Sequence, residues 1–133
     1  MLLTLLRTKI HGAIITQANR DYTGSITIDH RLLEVSGLCP NEKVLVVDIH
    51  NGARFETYII VGKKDSGVVG INGAAAHLVK PGEKIIIMAF AQFSPAEART
   101  HQPQVLLVDE ANRPGRTFRL PASGEVEEES RPT

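Results

Sequence analysis

The chain has 133 residues, 42% of them hydrophobic, enough for one domain that buries roughly two-thirds of its unfolded surface. Lys plus Arg and Asp plus Glu are equal at 15 each, so no net field draws the chain to nucleic acid or to a membrane surface. A single cysteine, Cys39, excludes an intrachain disulfide and fits a cytoplasmic setting.

The opening run MLLTLLRTKI breaks at Arg7 and Lys9 and has no small-residue cleavage site, so it does not read as a signal peptide. No segment approaches the ~20 apolar residues of a membrane helix. A first strand is predicted at 13–18 and a second at 24–28. Asp29 then caps a short helix, HRLLEVSG, which Gly37 stops. Residues 42–63, EKVLVVDIHNGARFETYIIVGK, read as a hairpin turning on Asn51-Gly52 as a two-residue type I′ loop. That loop pairs Ile49 with Arg54, Val47 with Glu56 and Leu45 with Tyr58. Arg54, Glu56 and Tyr58 then share one face, and Thr57 takes the other.

Further strands are predicted at 67–71, 84–93 and 105–109. NGAAAHLV, from Asn72, reads as a glycine turn into one or two helical turns. SPAEART starts a short helix with Pro95 at its first position. Six or seven short strands with brief helices between them favour a small closed barrel over a βαβ sheet, whose crossover helices are longer. The pattern decays from about Pro114. The predicted organisation is one domain at 1–115 and a tail at 116–133, its end, GEVEEESRPT, a charge run read as disordered.

The sequence has no Walker loop, no dinucleotide fingerprint and no metal-ligand spacing. His11, His30, His50, His77 and His101 are scattered and read as structural or solvated, and Cys39 as a loop thiol in GLCPNE. Four places hold distinctive polar residues: Lys9 and His11 in TKIHG, Tyr22 to Ser25, the stretch 54–58, and the stretch 72–76. On pattern alone each also has an ordinary reading. Lys9 and His11 fit the solvent face of a first strand, Arg54 and Tyr58 the outside of a hairpin, and Gly24-Ser25 a plain turn.

Taken together and in order, TKIHGA, YTGS, NGARFETY and NGAAAH resemble the pyruvoyl-dependent aspartate 1-decarboxylase family over roughly residues 1–113. The resemblance implies a mainly β fold, a six-stranded double-ψ β-barrel with short helices, assembled as a homotetramer. It implies self-cleavage between Gly24 and Ser25: the Ser25 hydroxyl attacks the Gly24 carbonyl, an ester forms, and elimination and hydrolysis leave a pyruvoyl group at residue 25. The absence of a Cβ at Gly24 suits a strained scissile peptide. Asn72 and Thr57 are implied to assist processing.

The implied reaction converts L-aspartate to β-alanine and CO₂, supplying pantothenate and coenzyme A biosynthesis. The pyruvoyl ketone, covalently bound and derived from Ser25, condenses with the substrate amine as a Schiff base and takes up the electrons left by CO₂, so no metal and no dissociable coenzyme is called for. Arg54 matches a substrate carboxylate with its planar fork, and Lys9 adds charge. Thr57 and the backbone of Gly73, Ala74 and Ala75 are implied to bind substrate, Tyr58 to donate the proton, and His11 and Tyr22 to wall the pocket. Two departures stand out. Val47 occupies a position usually aromatic in the family, and Thr23 one that is often acidic.

Three alternatives remain at this level. They are an N-terminal-nucleophile hydrolase that frees Ser25 as an amine, a non-enzymatic barrel with Gly24-Ser25 as a turn, and the same enzyme needing a maturation factor to be cut.

Overall fold

The computed structural model describes residues 1–125; the acidic run predicted as a tail lies outside them from 126 onward. Nine strands are present: β1 (Leu3–Ile14), β2 (Gln17–Asn19), β3 (Ser25–Asp29), β4 (Lys43–Asp48), β5 (Arg54–Gly62), β6 (Val69–Asn72), β7 (Lys84–Phe93), β8 (Gln104–Val108) and β9 (Pro114–Arg119). Between them lie α1 (His30–Ser36), a 3-10 turn at Gly73–His77 and α2 (Pro95–Ala98). Asp29 and Gly37 cap α1 as predicted, and Ser94 with Glu97 forms a capping box on α2.

The strands hydrogen-bond in the order β2-β6-β3-β5-β4-β7-β1-β8-β9. β1 and β2 stand far apart in that order, yet only Ile15 and Thr16 join them. Two residues span about 10 Å, roughly two strand spacings, so the ribbon between them has to curl until its ends meet. Backbone bonds close the seam. Thr16 N–H donates to the Val69 carbonyl at 2.8 Å, and Gly82 N–H to the Ile15 carbonyl at 2.8 Å. The ring has β1 with β2, then β6, β3, β5, β4 and β7 as its staves, while β8 and β9 extend outside it along β1.

Alternation along the staves decides inside from outside. Ile10, Ile26, Ile28, Val44, Val46, Ile59, Ile71, Ile85 and Ile87 are fully buried and fill the ring, with Leu32 and Leu33 of α1 packed on them. The residues between those positions face outward. They include Lys9 and His11 on β1, Ser25 and Thr27 on β3, and Arg54, Glu56 and Tyr58 on β5.

The structure corrects four expectations. The strand predicted at 13–18 is the end of β1 plus β2, and β1 begins ten residues earlier, at Leu3. Its charges, Arg7, Lys9 and His11, hid it, although two of them lie on its outer face. Register shifts on either side of Thr8–His11 leave Arg7 and Gly12 as extra residues.

The hairpin register is also two residues different: Val47 pairs with Arg54, Leu45 with Glu56 and Lys43 with Tyr58. The loop is longer than two residues because side chains build it. Asp48, fully buried, accepts from His50 N–H at 2.8 Å, and Asn51 Oδ1 accepts from Ala53 N–H at 2.8 Å. Only Gly52 of the Asn51-Gly52 pair has positive φ, so the turn is not type I′. A two-residue shift preserves face, so Arg54, Glu56 and Tyr58 still lie together.

Finally, the described residues hold nine strands rather than six or seven, the last of them, β9, running through residue 115.

Candidate active site

Ser25 begins β3 and is 1% exposed. It sits opposite Asn72, the last residue of β6, in an antiparallel ladder. Its hydroxyl donates to the Thr23 carbonyl at 2.9 Å and accepts from Asn72 Nδ2 at 3.0 Å. The same Nδ2 donates to Thr27 Oγ1 at 3.0 Å. One carboxamide therefore serves two hydroxyls on the outer face of β3. A buried serine held from both sides has a fixed rotamer, as a positioned nucleophile requires. Thr27 is the residue that sequence reading missed. The signal was present, since Ser25 and Thr27 are two apart in a strand and share a face.

Gly24 precedes Ser25 in open space. Its φ is not positive, and a Cβ there would meet nothing within 4 Å. The glycine packed tightly against this seam is Gly73, with φ of +79°. A Cβ on Gly73 would stand 2.5 Å from Gly24 Cα and 2.8 Å from Gly24 N. The turn from β6 into Gly73–His77 therefore packs backbone on backbone against the peptide preceding Ser25. Ala74 of this turn is exposed, and Ala75 packs on the core.

Beside this seam lies a cavity of about 330 Å³ lined by Gln17, Asn19, Tyr22, Thr27, Ile60, Val61 and Asn72. Its volume lies at the lower end of the ~300–1,000 Å³ of small-molecule pockets. Of the predicted site residues it holds Tyr22 and Asn72. Tyr58 adjoins the seam by register: β3 and β5 run parallel with Ile26 beside Ile59, and Ser25 and Tyr58 are the residues just before that pair. Arg54 follows four residues back on the same face. Thr57 pairs with Val44, a core position, and so lies on the opposite face from Arg54 and Tyr58, as its place in the alternation required.

Lys9 and His11 are elsewhere. In the ring, β1 and β5 are three staves apart in either direction, so outward residues on the two face opposite ways. His11 lines a separate cavity of about 320 Å³ with Lys84, Asp109 and Glu110. Its Nδ1 is buried without a partner. Burial, and then the charges of Lys9 and Lys84, hold its ring below the usual imidazole range. Val47 is buried and pairs with both Arg54 and Ile86. Cys39 is an exposed turn residue. Among the described residues no three His, Cys, Asp or Glu are grouped to hold a metal, and no helix is long and apolar enough to cross a membrane.

A family model described as aspartate decarboxylase matches residues 1–114. The chain belongs to the aspartate decarboxylase family. Family relatives match it over most of their length. The aspartate 1-decarboxylase of Clostridium beijerinckii is 55% identical over 112 residues, 84% of this chain and 90% of the relative. That of Lactiplantibacillus plantarum is 50% identical over 129 residues, 97% of this chain and 99% of the relative. That of Chloroherpeton thalassium is 52% identical over 120 residues, 90% of this chain and 88% of the relative. The family model ends where β9 begins, so it spans every element that positions Ser25, Asn72, Arg54 and Tyr58.

Proposed function

We propose that this chain is a self-processing decarboxylase that converts L-aspartate to β-alanine and CO₂, a step that supplies pantothenate and coenzyme A biosynthesis in the cytoplasm. The observation that carries the proposal is Ser25, buried and hydrogen-bonded on both sides of its hydroxyl, behind a Gly24 peptide packed against Gly73. The ring of six staves fits the double-ψ barrel of the family.

In processing, Ser25 Oγ bonds to the Gly24 carbonyl carbon, the Gly24–Ser25 C–N bond breaks, and the hydroxyl proton passes to the freed amine. The result is an ester. Loss of the Ser25 Cα proton then expels Gly24 as a carboxylate and leaves dehydroalanine, which takes up water and releases ammonia. The products are a chain of residues 1–24 and a chain of residues 25–133 capped by pyruvoyl. Asn72 is aligned to hold Ser25 Oγ for this sequence. Thr57 was expected to assist; it lies on the other face of β5, and any contribution it makes comes from the core side.

The surroundings of residue 25 fit a pyruvoyl group: a small buried side chain, an amide donor at its oxygen, and a cavity beside it. When formed, that group supplies the ketone that binds the substrate amine and draws off the electrons left by CO₂. The chain's own residues do the rest. Arg54 offers two parallel N–H donors to a carboxylate, and Lys9 adds positive charge. Tyr58 is the proposed donor of a proton to the carbon that loses CO₂, and its adjacency to Ser25 by register supports that reading. Gly73, Ala74 and Ala75 offer backbone donors beside Gly24, and Tyr22 and His11 supply wall.

Lys9 and His11 face away from Arg54 within one ring, so one copy does not gather all the charges of the site. This favours an assembly in which a second copy brings them, and a homotetramer of processed chains is proposed. The outer face near β4, β5 and β7 supports it: Phe90, 44% exposed, lines a cavity there with Leu45, and Tyr58 on β5 is 36% exposed.

Intact-protein mass spectrometry tests the proposal. Two chains split after Gly24, with residue 25 as pyruvoyl, are expected from the native sequence, and one inactive chain from Ser25→Ala. An uncleaved native chain that releases no CO₂ from L-aspartate would overturn it.

A further inference from the structure

Asn72 meets a second hydroxyl besides that of Ser25, the Oγ1 of Thr27. Three distances define the arrangement. Ser25 Oγ lies 2.9 Å from the Thr23 carbonyl, and Asn72 Nδ2 lies 3.0 Å from both Ser25 Oγ and Thr27 Oγ1. A carbonyl only accepts, so the single proton of Ser25 goes to Thr23. Ser25 Oγ then has to accept from Asn72, which requires the amide nitrogen on that side. That nitrogen carries two hydrogens, and the two hydroxyls take one each. Asn72 is 4% exposed, and Thr27 Oγ1 is the acceptor that the protein itself supplies for the second hydrogen.

We propose that Thr27 is a positioning residue for self-cleavage, its hydroxyl locking the Asn72 amide with nitrogen toward Ser25. The proposal rests on the self-processing reading above. Without the hydroxyl, the second N–H of Asn72 is buried and unpaired. Turning the amide by half a rotation removes that fault, because its carbonyl oxygen then meets Ser25. The Ser25 proton follows to Asn72 and leaves Thr23, and the rotor that aims Oγ is set differently. Thr27 has no part in the later elimination, since Oγ is by then an ester oxygen bonded to the Gly24 carbonyl carbon. Its effect falls on the first step, formation of that ester.

The test compares Thr27→Val, which keeps the branched strand-forming shape, with Thr27→Ser, which keeps the hydroxyl. Freshly purified uncleaved protein is followed by intact mass, with parallel samples treated briefly with dilute hydroxylamine at neutral pH, which cuts the ester and leaves the peptide bonds, Asn51-Gly52 and Asn72-Gly73 included. Thr27→Val is expected to cleave roughly tenfold slower, as loss of one buried hydrogen-bond acceptor implies. It should accumulate no hydroxylamine-sensitive ester and melt within a few degrees of the native chain, with Thr27→Ser restoring the native rate. If Thr27→Val does not fold, Thr27→Ala takes its place with the same expectation.

Native cleavage by Thr27→Val overturns the proposal while the self-processing reading stands. So does ester build-up, which moves the slow step to elimination, or a Thr27→Ser protein as slow as Thr27→Val. An uncleaved native chain overturns both.

Discussion

Replacing Gly73 with alanine tests the site at its tightest point. The new Cβ would stand 2.5 Å from Gly24 Cα, 2.8 Å from Gly24 N and 3.2 Å from the Tyr22 carbonyl oxygen. Carbon atoms in contact normally sit ~3.5–4.0 Å apart, so about 1 Å of movement is required. The atoms met are backbone, and no side-chain rotation relieves the clash. The peptide that moves is the one leading into the Gly24–Ser25 bond. A shift of that size costs a reacting group on the order of 100-fold in rate. A second cost is conformational: φ of +79° is disfavoured by about 1–2 kcal/mol for an L side chain.

Gly52→Ala separates the two costs. Gly52 has φ of +75° but nothing within 4 Å of its would-be Cβ. It carries the backbone cost alone and lies outside the seam. Timed intact-mass spectra of uncleaved protein should show Gly73→Ala cutting roughly 100-fold slower than native. Gly52→Ala should lose about 1 kcal/mol in urea unfolding and cut at the native rate. Equal cleavage by the two variants would refute the claim that contact at Gly73 seats the scissile peptide.

Arg54→Ala should leave processing intact and lower kcat/KM for L-aspartate by roughly 100-fold or more, since two charge-assisted hydrogen bonds are removed; steady-state CO₂ release checks this. Asn112→Ala should lower stability by about 3 kcal/mol or more. In the native chain Asn112 accepts from Ile14 N–H at 2.7 Å and donates to the Ile14 and Gly67 carbonyls at 2.8 Å each. The drop should appear as a melting point lower by roughly 10 °C.

The depressed His11 pKa makes a signed prediction. Below the unfolded value of 6.5 the unfolded chain takes up the His11 proton first, so this group's share of stability is lost as pH falls from 6.5 toward the folded pKa. Melting points at pH 7.5 and 5.5 should show a smaller drop for His11→Gln than for the native chain, and an equal drop would refute the assignment.

Local order was legible wherever neighbouring residues create it. Asp29 and Gly37 bound α1, Pro95 opens α2, and β7 matches its prediction, an apolar run opening on three isoleucines. Faces were legible too, since a period of two survives the register error at 47–54. That error came from a buried carboxylate: no local pattern announces that Asp48 will turn inward and build a longer loop from its own acceptors. β1 was hidden for a related reason. Arg7 and Lys9 look like interruptions until β7 and β8 pair with the strand on either side. β9 is the last strand of the sheet order, and among the described residues β8 is the strand it pairs with.

The sequence by itself determined the residue types: a Gly-Ser pair, an arginine, a tyrosine and an asparagine in motifs that carry the family resemblance. Tertiary structure alone decided which of them meet. Pairing of β3 with β6 puts Asn72 between Ser25 and Thr27, 47 and 45 residues away along the chain. Curling of the ribbon into a ring turns Lys9 away from Arg54. Packing also presses Gly73 against Gly24, so that a Cβ on Gly73 would stand 2.5 Å from Gly24 Cα. Close approach of two backbones is a property of packing, and neither strand records it in its own sequence.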